Sequence, residues 1–256
     1  MDSILWGMMS LEELLRAAEM HTAGNGLGFA FLPGTTGDAP LDRLVATVPQ
    51  GVAARLRRTV CYFVPWIVKQ RRGVAVSTEA AADGENRKEL CHHLDIKPAA
   101  NLLLISLRFY QDDRYGLAIE FFDKIAYIAA LEPADRDDFY QLLGQQLAQP
   151  QGGELTPEAN EWRREAAKPR NGAAPDPEAE LNYRRAAETD SLGVYMASLF
   201  TDVFYEDLTE DAGGPPLPPE GLYERVRVLE RLYPPNRGYS LQIVRQRRRR
   251  SERAGH

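Results

Sequence analysis

The stretch ELCHHLDIKP, residues 89 to 98, is where side chains capable of chemistry are most concentrated. It holds one of the two cysteines and two of the four histidines of the chain. Thiolates and imidazoles are zinc ligands, so a metal site is one interpretation, a docking motif is a second, and the end of a helix is a third. On a helix, neighbouring residues point about 100° apart, so Cys91, His92 and His93 cannot all face one ion. We expect these three residues to be structural, with no bound metal.

Other patterns that carry catalysis are missing from the sequence. The second cysteine, Cys61, lies in the apolar stretch RTVCYFVPW, where a thiol usually serves as inert packing. The G-x-S-x-G, P-loop, G-x-G-x-x-G and H-E-x-x-H patterns do not occur. Asp112 and Asp113 form a pair of carboxylates, but turn chemistry explains them more simply. We therefore predict that the protein is not an enzyme and uses no cofactor.

The composition is that of an ordinary globular chain. Its 256 residues are 44% apolar and 27% charged, which allows a sizeable core. Windows of about 18 uninterrupted apolar residues do not occur, so we expect no membrane span. The start, MDSILWGMMSLEELL, has no basic region before an apolar run, which argues against a secretory signal. Two cysteines are too few for a disulfide framework, so a reducing compartment is expected.

Charge is distributed unevenly along the chain. The net charge is −6, yet the stretch RQRRRRSER carries six arginines against one glutamate. The acidic remainder is a poor surface for nucleic acid, because binding phosphates requires a basic footprint. The residues of the basic tail that could contact RNA are Arg245, Arg247, Arg248, Arg249 and Arg250. The alternatives for such a run are a solvated tail and a nuclear-localisation signal.

Caps, turn residues and periodicity indicate the helices and strands. Ser10 and Glu13 have the spacing of a capping box, which starts a helix. The predicted helices cover residues 11–18, 38–48, 52–65, 85–96, 139–147, the stretch opened by Thr156 and Pro157, 191–208 and 220–233. The predicted strands cover residues 26–34, 73–79, 101–110 and 117–122.

The clearest β signal is in residues 101–122. NLLLISLRFY and LAIEFF each alternate apolar residues, and QDDRYG between them has the composition of a turn. These features predict an antiparallel hairpin with one apolar face. The expected fold class is therefore α+β and predominantly helical, with this one hairpin, one or two further short strands, and helices packed on it.

The chain is expected to divide into a body, a helical region and a tail. KPRNGAAPDP and TEDAGGPPLPPE have the composition of linkers. The predicted parts are an α+β body over residues 1–150, a helical C-terminal region over 151–244 with linkers at 168–177 and 209–220, and a basic tail over 245–256.

Four stretches between residues 29 and 131 follow one another in a distinctive order. They are FAFLPGTTGDAPLDRLVATVP, TVCYFVPWIVKQRRGVAVST, LCHHL and ANLLLISLRFYQDD. This order resembles that of the P0 proteins of poleroviruses, plant-virus suppressors of RNA silencing, whose F-box-like element is Leu-Pro-x-x-Leu/Ile followed by a later proline. Leu90 and Leu94 match the element, Cys91 stands where it has proline, and Pro98 follows sooner than the family pattern has it.

The resemblance implies a non-catalytic viral interaction protein that suppresses host RNA silencing. It would bind a Skp-type ubiquitin-ligase adaptor through Leu90, Cys91, Leu94 and Pro98 and promote degradation of Argonaute, in the host cytoplasm or nucleus. On a helix Leu90 and Leu94 share one face, so they could enter an apolar groove. The alternative is that both leucines pack on the predicted hairpin. The second hypothesis is nucleic-acid association through the arginine tail.

Overall fold

The computed structural model of the protein describes residues 8–32, 41–70, 73–77, 87–89, 91–96, 100–110, 113–132, 135–149, 152–168, 176–241 and 243–244. Its helices are α1 (Leu11–Ala17), α2 (Leu41–Thr47), α3 (Gln50–Ala53), α4 (Arg114–Leu131), α5 (Asp137–Leu147), α6 (Pro157–Ala166), α7 (Pro177–Phe200), α8 (Tyr205–Thr209) and α9 (Pro219–Leu232). Its strands are β1 (Met8–Ser10), β2 (Glu19–Thr22), β3 (Gly28–Phe31), β4 (Thr59–Val64), β5 (Trp66–Gln70), β6 (Gly73–Ser77), β7 (Arg87–Glu89), β8 (Cys91–Ile96), β9 (Ala100–Ser106), β10 (Val203–Phe204) and β11 (Ile243–Val244).

A five-stranded mixed sheet forms the centre of the fold. Its strand order is β2-β3-β4-β9-β8. The three middle strands are parallel, with Phe29 opposite Cys61 and Cys61 opposite Leu103. The outer strands β2 and β8 run antiparallel to their neighbours. A second sheet has the order β1-β6-β5-β7, and β10 pairs with β11.

The central sheet is buried on both faces. Side chains alternate across a strand, so Cys61 and Phe63 of β4 join the core formed with the helices. Tyr62 and Val64 point to the opposite face, where they meet α1 and the second sheet in a smaller core. Strands covered on both faces read as continuous apolar runs rather than as alternating ones.

This architecture overturns the predicted fold class of one hairpin with one or two further strands. Within the described residues the chain is α+β, but it has a five-stranded and a four-stranded sheet. The predicted hairpin over residues 101–122 is wrong in its second half, because that part lies in α4. Asp113, expected in the turn, accepts a hydrogen bond from Gly116 N at 2.8 Å and so caps this helix.

Two predicted helices are also strands or contain one. The prediction of a helix over residues 52–65 is wrong beyond Leu56, because β4 follows at Thr59–Val64. Its β-branched and aromatic residues favour a strand that packs on both sides. The prediction of a helix over residues 85–96 is wrong as well, because Arg87–Glu89 and Cys91–Ile96 are strands.

Several elements are confirmed. The capping box at Ser10 and Glu13 starts α1, with Ser10 N donating to Glu13 Oε2 at 2.8 Å. Gly28–Phe31 is a strand, and Thr156 caps α6. The helix predicted over residues 191–208 is α7, which begins earlier, at Pro177, and ends earlier, at Phe200.

The C-terminal helices share the helical core with the central sheet. Tyr195 and Met196 of α7 and Val226 of α9 belong to the same buried cluster as Phe63 of β4. In the predicted linker at 209–220, Gly214 lies against Asn160, and Pro219 already begins α9. Of the predicted linker at 168–177, residues 169–175 lie outside the described part, and so does the basic tail from Arg245 onward. Among the described helices, none is both long and apolar enough to cross a membrane.

Candidate functional site

The residues of the opening stretch occupy an outer strand of the central sheet. Cys91 lies opposite Ile105 and His93 opposite Leu103, so both point to the face covered by helices. His92 and Leu94 point to the other face. The strand thus separates in space what the sequence places side by side.

Of the four residues predicted to dock a partner, the structure describes Cys91 and Leu94. Leu94 packs against the smaller core, beneath the second sheet. Leu90 and Pro98 lie outside the described residues, as do Arg245, Arg247, Arg248, Arg249 and Arg250. The helix predicted to carry Leu94 is wrong, because Leu94 lies in the extended strand β8. Silencing suppression through an adaptor and Argonaute stays a prediction, and so does RNA binding by the tail.

Cys91 and His93 lead to a pocket of about 840 Å³ between β8, α4, the start of α6, and α7. Its wall includes Tyr127 of α4 and Trp162 of α6, and Asp190 comes from α7. We call this cavity the Asp190 pocket. Its volume lies in the range typical of small-molecule sites, roughly 300–1,000 Å³.

Asp190 is held by a single hydrogen bond within the described part of the chain. Thr156 Oγ1 donates to Asp190 Oδ2 at 2.8 Å. The same Thr156 oxygen accepts from Ala159 N at 3.2 Å and caps α6, so the start of that helix fixes the carboxyl. Since a carboxylate offers about four acceptor positions, most of the capacity of Asp190 is left for a ligand.

The surroundings of Asp190 disfavour its charged form. Burial raises the pKa of Asp190 to about 7, and the negative charges of Asp123 and Glu154 act in the same direction. The hydrogen bond from Thr156 and the charge of Arg225 oppose this rise but do not cancel it. A carboxyl with such a pKa in a cleft is a common mark of a functional site.

The ammonium group of Lys124 is already engaged by carboxylates. Its Nζ lies 2.8 Å from Asp123 Oδ2 and 3.6 Å from Glu120 Oε1. Burial alone would lower the pKa of Lys124, but these two carboxylates outweigh that effect and raise it. Lys124 therefore stays charged at neutral pH and is neutralised by its own neighbours.

Tyr127 and Trp162 form an aromatic wall of the pocket, and Tyr127 contacts His93 of β8. The rings of His93 and Tyr127 meet edge to face, with their centroids 6.5 Å apart. Tyr127 still has 46% of its surface exposed and Leu131 has 44%. An exposed aromatic and aliphatic wall next to a carboxylate can contact both parts of an amphipathic ligand.

The cysteines are poor nucleophiles in this setting. Burial raises the pKa of the Cys91 thiol to about 12, with Glu120 acting in the same direction. Burial also raises the pKa of Cys61. The two lie on one face of strands separated by β9, hence about 10 Å apart or more, which is too far for a disulfide. Among the described residues, no three His, Cys, Asp or Glu side chains could hold a common metal ion.

A second buried acid lies close by but has a full set of partners. Arg225 donates from Nη1 to Glu154 Oε2 at 2.6 Å and from Nη2 to Oε1 at 2.9 Å. Arg163 Nη1 and the Tyr183 hydroxyl also donate to Oε1, at 3.2 and 2.9 Å. The side chains of Glu154 and Arg225 are both fully buried. This cluster ties α6, α7 and α9 together, and its complete burial keeps the carboxylate of Glu154 from a ligand.

Another cavity, of about 770 Å³, lies between α3 and the chain after α9. Its two asparagine amides are committed to the backbone: Asn25 Nδ2 donates to Val45 O and Val48 O at 2.8 and 2.7 Å. Asn236 Oδ1 accepts from Gln50 N at 2.9 Å. These amides fix the local chain path, so this cavity offers a ligand less than the Asp190 pocket does.

Sequence reasoning named Cys91 and His93 but missed Asp190, Thr156 and Trp162. One signal was available, because ETD at 188–190 places two acids directly before the apolar run SLGVYMASLF. Acids next to a buried apolar segment of a helix require partners or a ligand. Comparison of the chain with protein-family models and with curated proteins finds no match.

Proposed function

We propose that the protein binds a small molecule in the Asp190 pocket and does not transform it. The observation that carries this proposal is the carboxyl of Asp190, which faces a cavity of about 840 Å³ with one hydrogen bond from Thr156. Keeping a carboxyl desolvated and incompletely bonded destabilises the fold. A ligand that supplies the missing donors removes that penalty.

The chemistry around the pocket supports binding rather than catalysis. Nucleophilic catalysis requires a thiolate or another activated group, whereas burial holds the pKa of Cys91 at about 12. Lys124, which could act as a base or a nucleophile when neutral, is kept protonated by Asp123 and Glu120. The carboxyl of Asp190 and the rings of Tyr127 and Trp162, which also line the pocket, are suited to recognition.

The test is to fill the pocket and follow its occupancy. Ala186 lies in the wall on α7, so Ala186→Trp places an indole inside the cavity. Ala54 lines the cavity between α3 and the chain after α9, so Ala54→Trp is the matched control. A fragment library is screened by NMR, with the Trp162 indole N–H as the reporter, and circular dichroism checks that both variants fold.

We expect fragments to shift the Trp162 signal in the wild type and in Ala54→Trp but not in Ala186→Trp. The proposal fails if no fragment shifts the Trp162 signal in the wild type. It fails equally if the shifts persist in a folded Ala186→Trp protein.

A further inference from the structure

We infer that the ligand of the Asp190 pocket is a small organic cation, an amine or amidine joined to an aromatic or aliphatic group. This inference rests on the proposed function and specifies its ligand class. Three features carry it: the free acceptor capacity of Asp190, the balance of charge around the pocket, and the aromatic wall.

The first feature is the unfilled acceptor positions of Asp190. Thr156 fills one position on Oδ2. An ammonium has three N–H donors and no acceptor, and an amidinium has parallel N–H groups that match a carboxylate. Hydrogen bonds between ionised groups are also about twice as strong as neutral ones. A cation therefore complements Asp190 better than a neutral donor does.

The second feature is that the positive charge of Lys124, next to the pocket, is already compensated by carboxylates. Lys124 contacts both Asp123 and Glu120, so it adds little attraction for an anion. Glu158 and Arg185 carry opposite charges and are both exposed residues of the lining, so neither changes this balance much. An anionic ligand would meet the carboxylate of Asp190 in a partly desolvated site, where like charges repel most strongly.

The third feature is the aromatic lining. Trp162 and Tyr127 both border the cavity that contains Asp190. A cation over an aromatic face is attracted by the negative charge of the ring face, and more strongly when it is desolvated. The same rings, with Leu131, provide an apolar surface for the remainder of the ligand. A ligand that has a charged head and a ring uses both parts of the pocket.

Binding of a cation should depend on pH through Asp190. The carboxyl must ionise to form the ion pair, and its pKa is about 7 in the free protein. Affinity should therefore rise about tenfold between pH 6 and pH 8. The charged and titratable groups around Asp190 are Cys91 and His93 on β8, Asp123 and Lys124 on α4, Glu158 on α6, Arg185 on α7, Arg225 on α9, and Glu154.

The experiment compares three probes of similar shape by calorimetry: benzylamine, benzyl alcohol and benzoate. We expect benzylamine to bind the wild type at least about tenfold more tightly than either other probe near pH 8. Asp190→Asn should remove that preference and most of the pH dependence. Glu158→Gln removes an equal charge from an exposed residue of the lining and should change affinity less than about threefold. Because imidazoles generally titrate in this pH range, Asp190→Asn also separates the contribution of Asp190 from that of His93.

The outcomes separate this inference from the proposed function. If benzyl alcohol or benzoate binds as tightly as benzylamine, the ligand is not a cation, although the pocket still binds. The same conclusion follows if benzylamine does not bind while other fragments shift the Trp162 signal. If no fragment occupies the pocket, both the inference and the proposed function fail.

Discussion

Two acids, Glu154 and Asp190, lie in neighbouring parts of the same helical region but in opposite electrostatic situations. Glu154 receives donors from Arg225, Arg163 and Tyr183, all within 3.2 Å. Asp190 receives one, from Thr156. A buried carboxylate that accepts several hydrogen bonds serves the scaffold, whereas one that accepts a single bond beside a cavity is suited to a ligand.

The largest effect expected from this comparison is at Arg225. Arg225→Met removes two hydrogen bonds to Glu154 and one to Gln146, and it leaves the charge of Glu154 poorly compensated in the interior. Breaking a buried ion pair on one side costs about 3–5 kcal/mol, and we expect a loss of that size in the free energy of unfolding. Urea denaturation at neutral pH measures it.

A matched control lies two residues away on α9. Arg227 pairs with Glu230, and its side chain is 51% exposed. Arg227→Met should change the free energy of unfolding by less than about 0.5 kcal/mol. Equal losses in the two variants would show that the Glu154 cluster does not hold α6, α7 and α9 together, and the contrast with Asp190 would disappear.

A smaller effect, with a distinctive pH dependence, is expected at Asp190. The pKa of this carboxyl is near 4 in an unfolded chain and about 7 in the folded protein. The folded state therefore holds the proton more tightly, and this stabilising contribution is complete below about pH 4 and is lost as the pH rises to 7. Asp190→Asn does not titrate, so its stability relative to the wild type should increase by roughly 2–4 kcal/mol between pH 4 and pH 8.

The measurement is the free energy of unfolding of both proteins across that pH range. Asp211→Asn, at an exposed position, provides the control and should follow the wild type. If the free energies of unfolding of Asp190→Asn and the wild type differ by the same amount at every pH, Asp190 has the ordinary pKa of an exposed acid.

Local sequence signals predicted the elements that local interactions determine. The capping box of Ser10 and Glu13 and the cap at Thr156 involve residues three apart in the chain, and both are present. The wrong assignments concern elements defined by distant partners. Cys91 lies in a strand because it pairs with Ile105, and the local sequence does not predict that pairing.

The hairpin error has a specific physical cause. Leu117 and Phe121 are four residues apart. This spacing places them on one face of a helix and, because it is an even number, on one face of a strand as well. Ala118, Phe122 and Ile125 complete a helix that is buried against both the sheet and α7. A helix with apolar residues on most of its faces lacks the one-sided pattern that distinguishes it from a strand.

The pocket could not be predicted from local signals because its parts are far apart in the chain. Cys91, Tyr127, Trp162 and Asp190 come from four different elements. Their proximity follows from the position of β8 beside β9 and from the packing of α7 on α4 and α6. The sequence indicated which residue types were reactive, but the desolvation of Asp190 depends on these tertiary contacts.

The most direct test of the account is a carbon-detected NMR titration of the Asp190 carboxyl, in the protein alone and with saturating benzylamine. We expect a pKa of about 7 in the free protein. With benzylamine bound, the pKa should fall toward the ordinary value near 4, because a neighbouring cation favours the carboxylate. An ordinary pKa in the free protein, or the same titration curve with and without benzylamine, would contradict the claim that Asp190 is the ligand-binding carboxyl.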